Sequence, residues 1–251
     1  MTRLLAHAIT RRVTGGPALG LRGRPLEQIA AGELGLWATR WDDDPALSRD
    51  DAFAHHDLVG VLCDAGPCLP VRFGTWLADE TAARRSLESE QDRFVAAVDR
   101  LGDRREVAIT LLWRDAPALD GGSVEGGSAG AGEARAGRTG RTAVTSGNGR
   151  AFLERQRSVH AATDERRKTA DSLADRLARE LAVEQADVRH ESCPSAEVAL
   201  SMSLLARRDE ADALKARATA AVGAIEGVRG VVSGPWPPYS FTEELVGGHG
   251  R

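Results

Sequence analysis

The sequence predicts an α+β protein with two folded units, and three features of the 251-residue chain support this class. Ten glycines fall between positions 121 and 149, among polar and small residues without apolar periodicity. Such a segment buries too little apolar surface to offset its ordering entropy, which predicts a flexible linker. On both sides of it, strand patterns adjoin helical patterns. We therefore expect a first unit at 1–115, a linker at 116–150 and a second unit at 151–251.

The first unit is expected to be a sheet with helices on one of its faces. Apolar runs rich in Val, Ile, Leu and Ala predict strands at residues 4–13, 34–41 and 106–113. A short extended segment lies at 67–73, before a helix at 79–101 whose apolar side chains recur at helical spacing. The order of strands and helices suggests an antiparallel sheet covered by helices on one side.

A first helix precedes the extended segment, and the sequence leaves two possible starts for it. One start is Asp44-Pro45, an acidic cap followed by proline at the first helical position. The other start lies one turn later, at a capping box of Ser48 and Asp51. Gly66 is expected to end this helix. The residues predicted to share its inner face are Leu47, Ala54, Leu58 and Leu62.

The second unit is expected to open with a long helix at residues 151–184. A continuous helix of this length would reach ~50 Å, so it either protrudes or folds into a helical hairpin. Strict apolar alternation predicts a strand at 198–205, with further strands at 186–191 and 227–233. A helix at 209–226, with a weak alanine-rich inner face, completes a second α+β unit.

The composition excludes several classes of protein. A net charge of −4 and an isoelectric point near 5.9 argue against a nucleic-acid-binding protein that acts through general basicity. Three cysteines do not make a disulfide framework, which favours a reducing cytoplasm. No apolar run is long enough for a signal peptide or a membrane span.

We find no pattern typical of a catalytic site or of a bound cofactor, so we expect no enzyme activity, cofactor or metal. The nearest alternative is a metal-binding or enzymatic site that combines His55 and His56 with Cys63 and Cys68. Adjacent residues of a helix point ~100° apart, so the two histidines are poorly placed to share an ion. The simpler interpretation is a pair of surface histidines with two small apolar cysteines.

Two further stretches are candidate binding segments. The first consists of Leu69, Pro70, Val71, Arg72, Phe73, Gly74 and Thr75. Here an arginine follows an extended apolar run, so it either clamps a strand-to-helix corner, with Thr75 capping the next helix, or contacts a partner. The second consists of Gly234, Pro235, Trp236, Pro237, Pro238, Tyr239, Ser240 and Phe241. Its prolines and aromatics predict a stiff extended segment that either packs back on the chain or docks a partner.

These stretches resemble sequence motifs of the gas vesicle protein F/L (GvpL/GvpF) family. The resemblance extends over residues 55–87, with Pro-Cys-Leu-Pro-Val-Arg-Phe-Gly-Thr at 67–75, and over the aromatic stretch at 234–241. A third match is Gly-Arg-Ala-Phe-Leu at 149–153. The resemblance implies a ferredoxin-like N-terminal domain and a C-terminal α+β domain with a coiled-coil-like helical part.

The resemblance also implies a function without catalysis. Members of the family act in the assembly of gas vesicles, where they are thought to bind the small hydrophobic shell protein and limit its aggregation. We therefore expect the shell protein, and further gas vesicle accessory proteins, as partners in the cytoplasm. The first unit is the expected docking surface, through residues 69–73 and the helix ending at Cys63. A second alternative is an oligomerisation adaptor acting through the helix at 151–184.

Overall fold

The computed structural model describes residues 2–13, 15–42, 45–114 and 147–242, with side chains from residue 163 onward in the last range. These residues form two antiparallel sheets and five helices, an α+β architecture as predicted. Most of the proposed linker lies outside the described residues. Residues 147–150 were expected to belong to that linker, but they form the first turn of a helix instead.

The first sheet has five strands, three of which lie where the sequence placed extended chain. Its members are β1 (Arg3–Arg11), β2 (Leu26–Ala31), β3 (Leu34–Trp41), β4 (Cys68–Pro70) and β5 (Trp76–Leu77). The order is β2-β3-β1-β4, and β5 pairs with β1 beyond the end of β4. The sequence analysis missed β2, where Glu27 and Gln28 interrupt the apolar pattern.

Helices cover both faces of this sheet, so the expectation that they share one face is wrong. The helices are α1 (Arg49–Ala65), α2 (Glu80–Ser89) and α3 (Gln91–Leu101). Leu36 and Ala38 of β3 pack with α2 and α3, while Trp37 of β3 packs with α1 on the other side. Successive strand side chains point to opposite faces, and both faces of β3 are apolar.

The boundaries of these helices refine the sequence interpretation. Ser48 caps α1 in a capping box with Asp51, so the later of the two starts is correct. Asp44 lies outside the described residues. The residues buried on α1 are Asp51, His55, Val59, Leu62 and Cys63. Of the predicted inner face, Leu62 is buried, Leu47 and Leu58 are partly buried, and Ala54 is exposed. The single helix expected at 79–101 is two helices that meet at Glu90, whose backbone leaves the helical region.

The second sheet has the strand order β7-β8-β6-β9. Its members are β6 (Arg104–Trp113), β7 (Val188–Ser192), β8 (Val198–Arg207) and β9 (Val228–Trp236). The strand at 106–113 was expected to close the first unit, but β6 pairs only with β8 and β9. The periodicity of a strand indicates which of its faces is buried but not which strands pair with it. The prediction that β6 belongs to the first sheet is therefore wrong.

One face of the second sheet is covered by α4 (Gly147–Glu180) and α5 (Ala211–Gly223). Ala174 and Leu177 of α4 and Leu214 and Ala218 of α5 pack on the inner side chains of β6 and β8. No helix in the described part of the chain combines the length and apolarity needed to cross a membrane.

Candidate functional site at the junction of the two sheets

The two candidate binding stretches, far apart in the sequence, meet where the sheets adjoin. Thr242 donates a hydrogen bond from Oγ1 to the carbonyl oxygen of Pro70 at 3.2 Å. The Phe241 side chain is 5% exposed and lies in the same apolar cluster as Leu69 and Val71. Leu205 of β8 reaches this cluster from the second sheet. Residues 241 and 242, which follow β9, therefore connect the second sheet to the first.

The first stretch divides into a buried strand and an exposed turn. Leu69 and Val71 are 0% and 1% exposed, and the Val71 amide donates to the carbonyl of His7 at 2.9 Å. After Val71 the chain turns back, because Thr75 donates from its amide and from Oγ1 to the Arg72 carbonyl at 3.2 and 2.7 Å. Gly74 supports this turn with a φ of +84°.

Neither Arg72 nor Thr75 has the structural role that the sequence suggested. Thr75 closes the turn and does not cap the next helix, whose N-cap is Asp79, with a carboxylate that accepts from the amide of Ala82 at 2.7 Å. The Arg72 side chain is exposed and makes no hydrogen bond or ion pair with the residues that the structure describes. Two roles were considered for Arg72, a structural clamp at the strand-to-helix corner and a contact with a partner. No contact among the described residues supports the structural clamp.

The second stretch contains the end of β9, which pairs with the start of β6, and then continues to α1. A Cβ atom at Gly234 would lie 2.6 Å from the carbonyl oxygen of Glu106, so only glycine fits at this crossing. The Trp236 and Tyr239 rings then contact the His56 ring, with centroids 4.9 and 5.9 Å away. Trp236 remains 40% exposed, whereas Pro237 and Pro238 are buried. The segment packs within the chain, which was one of its two predicted roles.

Glu106 of β6 holds this segment through hydrogen bonds. Its buried carboxylate accepts hydrogen bonds from the hydroxyl groups of Ser203 and Ser240 at 2.8 and 2.7 Å, and from the Ser240 amide at 3.0 Å. A buried carboxylate needs several donors to offset its lost hydration, and here two of the three come from the C-terminal segment. Glu106 therefore connects β6, an inner strand of the second sheet, to the segment that follows β9.

Two arginines of the second sheet bind the carboxyl end of α1. Arg105, with a side chain only 8% exposed, donates to the Cys63 carbonyl at 2.7 Å and to the Asp64 carboxylate at 2.8 Å. Arg208 donates to the Asp64 carbonyl at 2.9 Å. Free carbonyl groups give a helix end partial negative charge, so cations are favourable there. The last turn of α1 contains no basic residue of its own.

A chain of hydrogen bonds through two buried histidines links β1 and β3 of the first sheet to α1 and to the residue after β4. His55 lies 3.0 Å from the Val71 carbonyl through Nε2 and 2.9 Å from His7 through Nδ1. His7 then reaches Thr39 Oγ1 at 2.7 Å. A carbonyl only accepts, so His55 carries its proton on Nε2, His7 donates from Nδ1, and the Thr39 hydroxyl donates to His7. Every group is satisfied when both rings are neutral.

Burial fixes this neutral state. Desolvation, reinforced by the neighbouring His55, lowers the pKa of His7 to about 3. Desolvation also lowers the pKa of His55 to about 4, against the opposing effect of its bond to the Val71 carbonyl. A proton added to His55 would go on Nδ1 and leave two donors facing each other between the Nδ1 atoms, whereas a proton added to His7 would go on Nε2, where the Thr39 hydroxyl would then accept instead of donate.

The proposed metal-ligand set is only partly brought together. His55 points inward to His7, while His56 points outward to Trp236 and Tyr239. Cys63 and Cys68 do meet, and their mutual hydrogen bond, together with burial, raises the pKa of the Cys68 thiol. Tyr239 covers both thiols. Among the described residues there is no group of three or more His, Cys, Asp or Glu side chains that could hold a metal ion.

Comparison with known proteins identifies the family. A family model described as "Gas vesicle synthesis protein GvpL/GvpF" matches residues 4–243. The chain belongs to the GvpL/GvpF family. It is similar to gas vesicle protein L of Streptomyces sp. (strain CB03234), with 28% identity over 94% of this chain and 91% of the relative. Gas vesicle protein F of the same strain is 26% identical, with 88% and 89% coverage.

Solved structures show the same fold at lower identity. The crystal structure of GvpF from Anabaena sp. PCC7120 superposes with a TM-score of 0.69 at 14% identity, covering 96% of each chain. The crystal structure of GvpF from Microcystis aeruginosa gives a TM-score of 0.67 at 12% identity, covering 95% of this chain and 98% of that one. The predicted family is therefore confirmed, as is the α+β class.

In this GvpL/GvpF protein, two of the three sequence motifs that indicated the family, at 67–75 and 234–241, lie at the junction of the two sheets. Both stretches were predicted from the sequence, but the residues that contact them or the adjoining helix from elsewhere in the chain, which are His7, Arg105 and Glu106, were not. His7 lies inside an apolar strand pattern, and such a position could have indicated a buried hydrogen-bonded histidine. Arg105 and Glu106 stand at the start of a strand and give no signal that distinguishes them from surface charges.

Proposed function

We propose that this protein is an accessory factor of gas vesicle assembly that binds the small hydrophobic shell protein and limits its aggregation. The family match over residues 4–243 carries the proposal, because the family consists of gas vesicle synthesis proteins. An apolar shell subunit with unpaired edges associates non-specifically until it is built into the wall. Under this proposal the protein acts in the cytoplasm beside growing gas vesicles, with no catalytic step.

We further propose that the first unit supplies the docking surface. Within residues 69–75, Leu69, Pro70 and Val71 are buried and position the turn. Arg72 and Gly74 are exposed, with Phe73 and Thr75 partly so, and these four residues are available to a partner. Trp236, an exposed residue of the C-terminal stretch, adjoins the first unit through its ring contact with His56 of α1.

The test is the aggregation of purified shell protein, followed by light scattering after dilution from denaturant, with and without the full chain. We expect the wild type to suppress the scattering and Arg72→Ala to suppress it less. Arg217→Ala is the matched control, since Arg217 is exposed on α5 and makes no hydrogen bond or ion pair with the described residues. An unchanged thermal transition in Arg72→Ala separates lost contact from lost folding. A wild type that leaves the scattering unchanged contradicts the proposed function.

The full chain is required for this test. A fragment ending near residue 118 would remove β6 from β8 and β9, and a fragment starting at 150 would lack its central strand. The division into two units at 1–115 and 151–251, joined by a linker at 116–150, was the prediction; we retain as a proposal two units joined by a linker within 116–146, with β6 belonging to the second unit and the N-terminal part of α4 protruding. An adaptor that oligomerises through α4 predicts that the full chain is larger than a monomer in multi-angle light scattering.

A further inference from the structure

Exposed apolar side chains concentrate on one side of α1. The large apolar residues that are at least 40% exposed among the described residues are Val13, Leu19, Phe53, Val61, Val231 and Trp236. Phe53 and Val61 belong to α1, with exposures of 57% and 54%. Trp236 adjoins the same helix through its ring contact with His56 at 4.9 Å. Three of these six side chains therefore form one surface.

The outward residues of α1 form a continuous stripe with a notch. At ~100° per residue, Phe53, Asp57, Gly60 and Val61 fall within about 100° of the helix circumference. This stripe is opposite the buried Leu62. No atom lies within 4 Å of the position that a Cβ of Gly60 would take, so the backbone is open there. Trp236 borders the stripe on the side of His56.

The shape of this surface favours a helix as the partner. The backbone groups of α1 are bonded within the helix, so an added strand would find no edge to pair with. A helix can cross α1 closely at a small residue, with larger side chains packing on either side of the contact. Gly60 provides the small residue, and Phe53, Val61 and Trp236 provide the apolar flanks.

The charge of the stripe determines the polar part of the partner. Asp57 lies midway between Phe53 and Val61, is exposed, and makes no ion pair with the described residues. Asp64, one turn beyond Val61, is already neutralised by Arg105 and Arg208 at 2.8 and 3.1 Å. A partner that covers Asp57 with apolar atoms alone would leave this carboxylate desolvated and unpaired, so the complementary group is a Lys or Arg.

We propose that Phe53, Asp57, Gly60, Val61 and Trp236 form a docking face for an amphipathic helix that carries a basic residue at the centre of its apolar side. This inference rests on the proposed function, because it assigns the helix to the shell protein. The contact consists of the apolar side chains of the helix on Phe53, Val61 and Trp236, with its basic group on Asp57. Arg49, whose guanidinium lies 5.4 Å from the Phe53 ring, borders one end of the face.

The experiment uses the full chain and fluorescently labelled overlapping peptides that span the shell protein sequence. We expect one peptide with apolar and basic residues to bind in anisotropy titrations and to gain helical circular dichroism on binding. The Phe53→Ser/Val61→Ser variant should weaken this binding at least tenfold. Val231→Ser is the matched control, because Val231 is 60% exposed on β9, and it should change the affinity less than twofold.

Charge reversal provides an independent arm. Asp57→Lys should weaken binding at least fivefold and reduce its dependence on salt, whereas Asp175→Lys, at an exposed position within α4, should not.

All variants are tested for suppression of shell-protein aggregation and for an unchanged thermal transition. If the wild type suppresses aggregation and the α1 variants do so equally well, the docking face is wrong and the proposed function stands. If the wild type does not suppress aggregation, the proposed function itself fails. A bound peptide with strand-like circular dichroism also overturns the assignment.

Discussion

The hydrogen-bond chain through His7 and His55 is the most constrained arrangement of single residues in the first sheet. It connects β1, β3, α1 and the residue after β4, all through side chains without charge. Burial keeps both rings neutral in the folded protein, whereas each ring in the unfolded chain would titrate near pH 6.5. Folding therefore excludes protons that the unfolded chain binds.

The stability of the protein should consequently fall in mild acid. The pKa values of His7 and His55 are lowered to about 3 and about 4, so both rings are neutral in either state above pH 6.5. As the pH falls from 6.5 toward 4, only the unfolded state gains these protons, and the free energy of unfolding decreases. The slope is at most ~1.4 kcal/mol per pH unit for each histidine. Urea unfolding at pH 7, 6 and 5 measures it.

A His7→Gln/His55→Gln variant is the comparison for this effect. It should show a flatter dependence between pH 7 and pH 5, while His190→Gln, at an exposed position on β7, keeps the slope of the wild type. Asp51, whose pKa is held low by its bonds to Arg22 and Ser48, titrates below this window. Equal slopes in the double variant and the wild type would contradict the assignment.

At the scale of elements, α1 depends on partners from outside its own sequence at both ends. The guanidinium of Arg22 makes a bidentate hydrogen bond to the carboxylate of Asp51, with N–O distances of 2.8 and 2.7 Å, and this bond reinforces the capping box that Asp51 forms with Ser48. Arg105 and Arg208 bind the other end. The capping box was one of the two helix starts that the sequence left open, and it could be found there because it is a local pattern. The arginines come from positions far along the chain, so no local pattern indicates them.

Two glycines should respond in opposite ways to the same substitution. Gly60→Ala adds a methyl group into open space in a helix and should raise the free energy of unfolding by about 0.5–1 kcal/mol. Gly230→Ala would place its Cβ 1.9 Å from Val222 Cγ1, on the helix that covers β9, and should lower the free energy of unfolding. Urea unfolding of both variants beside the wild type checks the signs, and equal signs would contradict this account.

The C-terminal segment should act as a cover for the two buried thiols. Glu106→Ala removes three hydrogen bonds from Ser203 and Ser240, at a cost of roughly 1–3 kcal/mol, and should allow the segment to lift. In a Cys193→Ser background, which leaves Cys63 and Cys68 as the thiols, we expect at least tenfold faster reaction with Ellman's reagent. Glu191→Ala, at an exposed carboxylate on β7, should leave the rate unchanged. An unaltered rate in Glu106→Ala would show that the cover is held by other contacts.

At the scale of the whole molecule, the sequence predicted most elements and few of their neighbours. Apolar alternation located β8, and the fold class and the family followed from patterns within short windows. The partners of β6 could not be predicted, because its alternation of buried and partly exposed side chains fits either sheet equally well. The sequence also does not show which face of a sheet a helix covers, and the helices of the first sheet were therefore predicted on one face instead of two. The junction formed by Phe241, Glu106 and Arg105 depends on contacts between distant segments, and single-sequence patterns do not contain them.

This junction predicts that the two sheets unfold together. Phe241 belongs to the end of the chain, is 5% exposed and packs in the core of the first sheet, which Leu205 of β8 also enters. Phe241→Ala should therefore lower the free energy of unfolding by about 3–5 kcal/mol, in both sheets alike. Amide hydrogen exchange in low urea, followed on peptides from β3 and β8, measures the opening of each sheet. Equal losses of protection in β3 and β8 are expected, while Val231→Ala, at an exposed position, should change neither. A loss confined to β3 would mean that the sheets open as independent units and that the chain end stabilises only the first.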